Sequence, residues 1–386
     1  MSQGSVFRSG KGWAIKYDGP PDPATGDRRQ KMRRGFPTKK AAQDALSTAV
    51  SAVAHGTYLE PSQDTVRAFA DEWLVTIAST VKPTTLEQYR RYLKLHVVPH
   101  LGGLPLGQVS PLDLNTLYAN LRDHGRADGN GGLSARTVRL VHAVVHRMFR
   151  DAVRWEQIPR NPADSADPPR SSGGKAHKLP VWTAQQLRTF LDSCRAADDP
   201  WLPLWTFLAT TGARRAEALG LRWADIDFDA GHCRIVQQVV LADGLLMVDT
   251  PKTTSSARPV ALDAVTVAAL RDQRRRQSEV RLMMGPGWRD HDLVWCRPTG
   301  EPLRPKRVNE LLKGSLRGVD VPPLSPHGLR HTWATLALES GVPAKVVADR
   351  LGHTRIGTTL DIYTHSTPVM HRDAADTVAA VIFGTD

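Results

Sequence analysis

Polar side chains able to act on a phosphate recur between residues 326 and 365. His327 and Arg330 stand one helical turn apart, His353 ends the run Leu-Gly-His, and Tyr363 follows within Asp-Ile-Tyr-Thr-His. An apolar helical period runs through the same segment, which predicts that the polar groups share one rim of a packed helical unit. Such a rim could bind a phosphate.

Attack on a phosphodiester is the chemistry that needs this set. The phenol of Tyr363 is a weak nucleophile at neutral pH, but beside cations it can lose its proton and form a covalent phosphotyrosine. The planar fork of Arg330 can pair with two phosphate oxygens and stabilise the charge that develops on them. His327 and His353 can donate further hydrogen bonds or transfer protons.

A second arginine is expected upstream, because one guanidinium seldom suffices for a phosphoryl transition state without a metal. After a turn at Gly212, Arg214 and Glu217 stand at i and i+3 of a helical run, so that Glu217 can hold Arg214 in place. Lys252 lies in a polar turn between two strand-like runs and could protonate the leaving 5′ oxygen.

Other assignments of these roles stay open. Arg215 and Arg222 lie close to the first motif, although its Thr-Gly-x-Arg spacing selects Arg214, and we expect Arg215 to be a phosphate contact or a surface charge. Lys175 or Arg258 could take the place of the lysine in the polar turn.

A zinc site is a further alternative, since His327 and His331 stand at i and i+4 on a helix. The helix lacks the glutamate of a His-Glu-x-x-His motif, and zinc would leave both arginine motifs unexplained. We therefore expect no metal at this position, and structural roles for His331, His365 and His371.

Five motifs follow one another along the chain: Thr-Gly-Ala-Arg-Arg-Ala-Glu from Thr211, Pro-Lys-Thr from Pro251, His-Gly-Leu-Arg-His from His327, Leu-Gly-His from Leu351, and Tyr363. In this order they resemble the tyrosine recombinase (phage integrase) family, over about the last half of the chain. The resemblance implies a catalytic set of Arg214, Lys252, His327, Arg330 and His353 around the phosphate, with Tyr363 as the nucleophile.

The composition points to an acidic partner. The 386 residues carry 51 Lys and Arg against 39 Asp and Glu, a formal net charge of +12. We expect nucleic acid rather than a membrane, because no long apolar span or basic amphipathic anchor is visible. The N-terminus has no apolar leader, and Cys194, Cys233 and Cys296 are scattered and odd in number, so we expect free thiols in the cytoplasm.

Residues 1–60 are predicted to form a small sheet with one helix. Residues 12–17 alternate like a strand, residues 28–36 form a second, basic strand, and Thr38 can cap a helix from Lys39 to about His55. The basic residues of this segment are either a solvated face or a phosphate-binding surface, and their density favours phosphate: Lys11, Lys16, Arg28, Arg29, Lys31, Arg33 and Arg34. By resemblance this segment is the arm-binding domain of a mobile element's integrase.

Residues 64–160 are predicted to form an all-α, four-helix unit. The pattern indicates helices from Thr65 to Ile77, over 83–95 with an end at Pro99 and Gly102, over 111–121, and over 134–155. Its basic faces are either solvated charge or DNA contacts: Arg90, Arg91 and Lys94 on the second helix, and Arg136, Arg139, Arg147 and Arg150 on the fourth. The resemblance to a core-binding domain favours DNA for the helices as a group.

A flexible linker is predicted over residues 161–178, where Pro, Ser, Gly and Asp replace any regular period. It would let the two halves of the chain close around a duplex. Residues 179–386 then read as a mainly helical α+β domain with a small antiparallel sheet, whose strands are expected over 233–241, 245–248 and 257–262. The apolar C-terminal helix beyond Tyr363 either docks on its own domain or, as the resemblance implies, packs against a neighbouring subunit.

The sequence thus predicts a multidomain, site-specific DNA recombinase that integrates and excises a mobile element through a 3′-phosphotyrosyl intermediate, with no cofactor. The resemblance implies double-stranded DNA with core and arm sites as its partner, a homotetramer on that DNA, and an excisionase and a host DNA-bending protein as further candidates. The rival hypotheses are a type IB topoisomerase and a catalytically inactive DNA-binding regulator.

Overall fold

The computed structural model describes residues 4–21, 25–55, 64–170, 180–249 and 257–352, together with the single positions 357, 376, 379, 380, 382 and 384. The chain divides into two compact units, Met1–Gly174 and Lys175–Asp386. Each unit contains its own hydrophobic cores.

The first unit opens with an antiparallel sheet of β1 (Gly4–Ser9), β2 (Gly12–Asp18) and β3 (Gln30–Phe36), in which β2 lies in the middle. Strands β2 and β3 match the predicted strands, whereas the sequence pattern does not predict β1. Helix α1 (Lys39–Ala54) packs on this sheet. The Thr38 hydroxyl accepts a hydrogen bond from the Ala41 N–H at 3.1 Å, which confirms the predicted cap.

A helical region follows, with its own core. Its helices are α2 (Val66–Thr76), α3 (Pro83–Tyr92), α4 (Val98–Leu101), α5 (Pro111–His124) and α6 (Ala135–Arg154). The apolar side chains of Val66, Phe69, Trp73 and Leu74 on α2 are buried, and the Trp73 ring N–H donates to Asp151 of α6 at 2.9 Å. This buried hydrogen bond joins the two helices.

The helix predicted to end before Pro99 in fact continues through it. A π-helical turn, Leu93–Val97, connects α3 to α4, and the Val98 N–H donates to the Leu93 carbonyl five residues back. Proline lacks an N–H and its ring needs space in the preceding turn, and the wider π turn provides that space. Gly102 caps the far end, as predicted.

The predicted linker is ordered at its beginning. The Asn161 side-chain amide donates to the His146 carbonyl at 3.2 Å, the Asp167 N–H donates to Asn115 at 2.7 Å, and Pro162–Ser165 forms a 3₁₀ turn. Residues 161–170 therefore pack against the helical region, while residues 171–179 lie outside the described part of the chain.

The second unit contains short strands among helices. They are, in chain order, α7 (Ala184–Ala196), α8 (Leu202–Thr211), α9 (Arg215–Gly220), β4 (Ile226–Asp227), β5 (His232–Ile235), β6 (Gln238–Ala242), β7 (Leu245–Asp249), β8 (Arg258–Ala261), α10 (Ala264–Met284), α11 (Pro305–Ser315), α12 (Pro326–Glu339) and α13 (Ala344–Leu351). Helix α8 is apolar on all sides and buried along nearly its whole length, so it forms the centre of this unit.

The single strand predicted over residues 233–241 is two strands in different sheets. Strand β5 pairs with β4 and β8, whereas β6 pairs with β7. The strand is interrupted where the chain passes the end of α9, because the Gln237 side chain donates to the Gly220 carbonyl at 2.9 Å. A Cβ atom on Gly220 would lie only 2.7 Å from the Gln237 carbonyl oxygen, so glycine permits this close approach.

The cysteines are free, as predicted, and Cys194 and Cys233 are buried. Burial raises the pKa of both thiols to about 12. Within the described ranges no helix is long and apolar enough to cross a membrane, and no group of His, Cys, Asp and Glu side chains is arranged to hold a metal ion.

Candidate active site

Helix α12 carries His327 and Arg330 in its first turns. Ser325 caps the helix by accepting the Gly328 N–H at 3.2 Å, and Gly328 packs so tightly that an added Cβ would lie 2.4 Å from Leu324. The cap and this close packing together fix where the helix starts, and therefore the direction in which the side chain of Arg330 projects.

Arg330 is buried, with only 2% of its surface exposed. Its Nη1 donates to the Gly212 carbonyl at 2.9 Å and its Nη2 donates to the Leu351 carbonyl at 2.7 Å. Burial, followed by the neighbouring charge of Arg214, lowers the pKa of Arg330 to about 9. Burial of a charged guanidinium is energetically costly, so this position favours an anion beside Arg330.

Arg214 lies beside Arg330 because the chain turns sharply between α8 and α9. Gly212 makes the turn with φ +63°, and an added Cβ would lie 2.7 Å from Leu351. Arg214 then caps α9: its backbone N–H donates to Glu217 Oε2 at 2.9 Å and its Nη1 donates to Glu217 Oε1 at 2.6 Å. The expected pairing at i and i+3 is present, and the Arg214 side chain stays 34% exposed.

Glu217 also binds a second arginine. It is 2% exposed and accepts hydrogen bonds from Arg258 Nη2 at 3.1 Å and Arg258 Nη1 at 3.3 Å. Burial alone would raise the pKa of Glu217, but the hydrogen bond and charge of Arg258 and the charge of Arg214 outweigh it and lower the pKa. The carboxylate is therefore charged and shared between two guanidinium groups.

The C-terminal end of α13 meets all these arginines. Arg258 Nε donates to the Arg350 carbonyl at 2.5 Å, Arg330 to the Leu351 carbonyl, and Arg214 Nη2 to the Gly352 carbonyl at 3.0 Å. Gly352 ends the helix in the left-handed conformation, with φ +66°. The next residue in the chain is His353.

The structure thus brings Arg214, His327 and Arg330 of the predicted set together. Three members, Lys252, His353 and Tyr363, lie outside the described residues, as do His365, His371 and Lys175. His327 stands exposed at the mouth of the site, where partial desolvation and then the charges of Arg330, Arg214 and Arg215 lower its pKa. A neutral imidazole can donate a hydrogen bond or transfer a proton.

The nearby alternatives are occupied elsewhere. Arg215 Nη1 donates to Asn309 of α11 at 2.8 Å, and Arg222 pairs with Asp225 at 2.7 Å. Arg258, considered in place of Lys252, is buried at 7% exposure against Glu217 rather than held in a polar turn.

Three comparisons place this geometry among known proteins. Family models match the phage integrase family over residues 180–369, its N-terminal SAM-like domain over 65–121, and an arm DNA-binding domain over 6–49. A tyrosine recombinase XerC-like protein of Caldanaerobacter subterraneus subsp. tengcongensis is 24% identical over 358 residues, covering 88% of this chain and 89% of that protein.

Solved structures share the fold. An integrase of the transposon Tn1549, solved with circular-intermediate DNA, superposes with a TM-score of 0.66 at 20% identity and covers 82% of this chain and all of that one. A lambda integrase tetramer bound to a Holliday junction gives a TM-score of 0.53 at 17% identity, covering 95% of this chain and 97% of that one.

The chain belongs to the phage integrase family of tyrosine recombinases. Its arm, core-binding and catalytic regions follow the order expected from the sequence.

The basic residues predicted on the integrase's arm region are divided between two faces of the sheet. In the register of β2 and β3, Lys31 and Arg33 lie opposite Tyr17 and Ile15 on the side of α1, whereas Lys16 lies on the other side. Arg28 forms a bidentate pair with Asp18, at 2.7 and 2.6 Å, so its charge is already matched.

The helical region of the integrase exposes most of its predicted basic residues. Arg90, Arg91, Lys94, Arg136, Arg139 and Arg150 are exposed. Arg147 instead lies over the Tyr89 ring, 5.3 Å from its centroid, and donates to the Tyr89 hydroxyl at 2.8 Å. Arg147 therefore links α6 to α3, and this contact accounts for the residue without a DNA contact.

Sequence reasoning did not identify the role of Arg258. A usable signal exists in β8, where Arg258 and Val260 alternate as buried residues. An arginine on the core face of a strand needs a buried acid, and Glu217 is a buried carboxylate.

His331 of the integrase is packed beside His327 on α12. Its ring packs edge-on against His327 with centroids 4.5 Å apart, and its Nδ1 is buried with no hydrogen-bond partner among the described residues. Burial, with the charges of His327 and Arg330, lowers the pKa of His331 from 6.5 to about 4. This environment disfavours the charged form of His331, and its structural role stays a prediction.

We expect His331 to destabilise the fold as the pH falls from 6.5 toward 4. In this pH range His331 binds a proton in the unfolded chain but not in the folded chain. This difference lowers the free energy of unfolding by about 2 kcal/mol at pH 5. His331→Gln cannot titrate, so its unfolding free energy should fall less between pH 7 and pH 5 in urea denaturation followed by tryptophan fluorescence. An unchanged pH dependence in this variant would show that other groups cause the loss.

Proposed function

We propose that this integrase cuts and rejoins DNA at two specific sites, inserting and excising a mobile element through a 3′-phosphotyrosyl intermediate. The observation that carries the proposal is the convergence of Arg214 and Arg330, with His327, at the end of α13. This cluster is cationic and partly open to solvent. The chain continues from the end of α13 into the sequence segment that carries Tyr363.

In the first step the phenolic oxygen of Tyr363 attacks the scissile phosphorus, and the P–O5′ bond breaks. Arg330 and Arg214 stabilise the charge on the non-bridging oxygens, and both are held in place before substrate arrives. His327 donates to the same oxygens, His353 assists, and Lys252 protonates the leaving 5′ oxygen. The 5′-hydroxyl of a partner duplex then displaces the tyrosine, so the energy of the broken bond is kept and no ATP is needed.

The other regions bind DNA in this proposal. Residues 1–60 bind arm sites, and residues 64–160 act as a four-helix core-binding domain. Residues 161–178 link these to the catalytic domain at 179–386. Phosphate contacts come from Lys11, Lys16, Arg29, Lys31, Arg33 and Arg34 in the arm domain, with Arg28 contributing only if DNA displaces Asp18, and from Arg90, Arg91, Lys94, Arg136 and Arg139 in the core-binding domain.

Four protomers assemble on two duplexes, because each duplex must be cut twice. The C-terminal helix beyond Tyr363 either docks on its own domain or bridges neighbours in that assembly. An excisionase, a host DNA-bending protein and a cytoplasmic, nucleoid-bound location complete the proposal.

A two-site recombination assay tests it. Supercoiled plasmids that carry the element's own end and its target site should yield recombinants joined at the mapped phosphates. Relaxation without exchange would support a topoisomerase, and binding without a covalent adduct would support a regulator with an inactive site.

A further inference from the structure

The end of α13 is held by guanidinium groups. The last carbonyls of a helix lack intrahelical partners and form the negative end of its dipole. Here the consecutive carbonyls of Arg350, Leu351 and Gly352 accept hydrogen bonds from Arg258, Arg330 and Arg214, respectively, among the described residues. Two of these donors belong to the proposed catalytic set, and Arg258 does not.

Arg258 connects the Glu217–Arg214 pair to the C-terminal end of α13. Its terminal nitrogens bind both oxygens of Glu217, the carboxylate that holds Arg214. Its Nε binds the Arg350 carbonyl, at the helix end that also receives Arg214 and Arg330. Because a guanidinium is planar and rigid, fixing one edge of Arg258 on Glu217 also fixes the distance from Glu217 to α13.

Among the described residues of this cluster, positive charges outnumber negative ones. In the described part of the chain, the guanidinium groups of Arg214, Arg258 and Arg330 lie around one carboxylate, that of Glu217, and Arg258 and Arg330 are almost fully buried. Excess buried positive charge is costly, and an anion that gains charge during reaction would offset it.

Loss of Arg258 would affect both the Glu217–Arg214 pair and the C-terminal end of α13. Glu217 would keep Arg214 as a partner, but the buried charge of Glu217 would be less well compensated. Its attraction for the Arg214 guanidinium would therefore increase and draw that side chain away from the phosphate. The Arg350 carbonyl would lose its donor, which would loosen the helix end that leads directly into His353.

We propose that Arg258 is a positioning residue for strand cleavage, which holds Glu217 and the end of α13 so that Arg214 and Arg330 face the same phosphate. Arg258 does not touch the substrate itself. The inference rests on the proposed function, because it assumes that these two arginines stabilise a scissile phosphate.

Single-turnover formation of the covalent adduct tests the proposal with the full-length chain. The substrate is a nicked duplex that carries the element's end, made with either an ordinary phosphate or a methylphosphonate at the scissile position. A methylphosphonate replaces one charged non-bridging oxygen with a methyl group, so it relies less on correctly placed cations. A purely structural defect would slow both substrates equally.

We expect Arg258→Met to slow adduct formation on the phosphate by about 10²-fold, as is typical when a partner that orients active-site groups is removed. On the methylphosphonate the loss should shrink to about threefold, because less charge needs stabilising. Arg258→Lys keeps the charge without the fork and should lose about 10-fold on the phosphate. This variant carries the test if Arg258→Met fails to fold.

The matched control is Arg222→Met in the same unit. Arg222 pairs with Asp225 as an i, i+3 neighbour and is 38% exposed, so its loss should leave both rates unchanged. Equal losses on both substrates, or no loss on the phosphate, would overturn the role of Arg258. Failure of the wild-type chain to form any adduct would instead overturn the proposed function.

Discussion

Tyr363→Phe should abolish the covalent protein–DNA adduct and all recombination. In the proposed mechanism the phenol supplies the oxygen that bonds to phosphorus, so its removal takes away the bond-forming atom. Removal of a nucleophile typically lowers the rate on the order of 10⁴-fold or more. The measurement is the band of slower mobility that the wild-type chain forms with nicked, end-labelled duplex in denaturing gels.

Tyr92→Phe is the matched control for this substitution. The Tyr92 hydroxyl accepts a hydrogen bond from Gln88 at 3.2 Å in the helical region, so its removal should leave adduct formation intact. DNA binding by Tyr363→Phe should equal that of the wild type. A persistent adduct in this variant would transfer the nucleophilic role to another residue.

Mixing variants determines which subunit supplies the tyrosine. If Tyr363 acts within its own subunit, a mixture of Tyr363→Phe and an Arg330 variant should form no adduct. Each active site would then lack either the tyrosine or the arginine. If Tyr363 acts across to a neighbour, the mixture should regain activity in a fraction of the sites.

Arg330→Met should lower single-turnover cleavage by about 10³-fold, since removal of one preformed donor to a transition-state oxyanion costs 10²–10³-fold and this residue carries a full charge. It should also lower the unfolding free energy by about 1–3 kcal/mol, because the Gly212 and Leu351 carbonyls would lose buried hydrogen bonds. Arg330→Lys can satisfy only one of these acceptors well and should recover part of both losses.

The exposed Arg234→Met on β5 serves as the control for loss of one positive charge in the same unit. Binding of Arg330→Met to DNA should stay within a few-fold of the wild type by gel shift, since the phosphate contacts proposed for the arm and core-binding domains would provide most of the affinity. Cleavage within 10-fold of the wild-type rate would remove Arg330 from the catalytic set.

Local features were predictable because they depend on residues close in sequence. The Thr38 cap needs only a hydroxyl and the next turn of backbone, and it is formed. The pairing of Arg214 with Glu217 follows from the i, i+3 spacing alone. The segment at Pro99 was predicted wrongly, because the π turn that accommodates the proline has no simple sequence signal.

The sequence by itself determined the family, the order of the three regions, and the side chains able to act on a phosphodiester, because these are properties of residue type and spacing. Only the tertiary structure decided what holds those side chains. Arg258 reaches Glu217 across 41 positions, and Arg330 reaches the Gly212 carbonyl across 118. Such contacts depend on which carbonyls and carboxylates remain unpaired after the chain folds, and no local pattern encodes that balance.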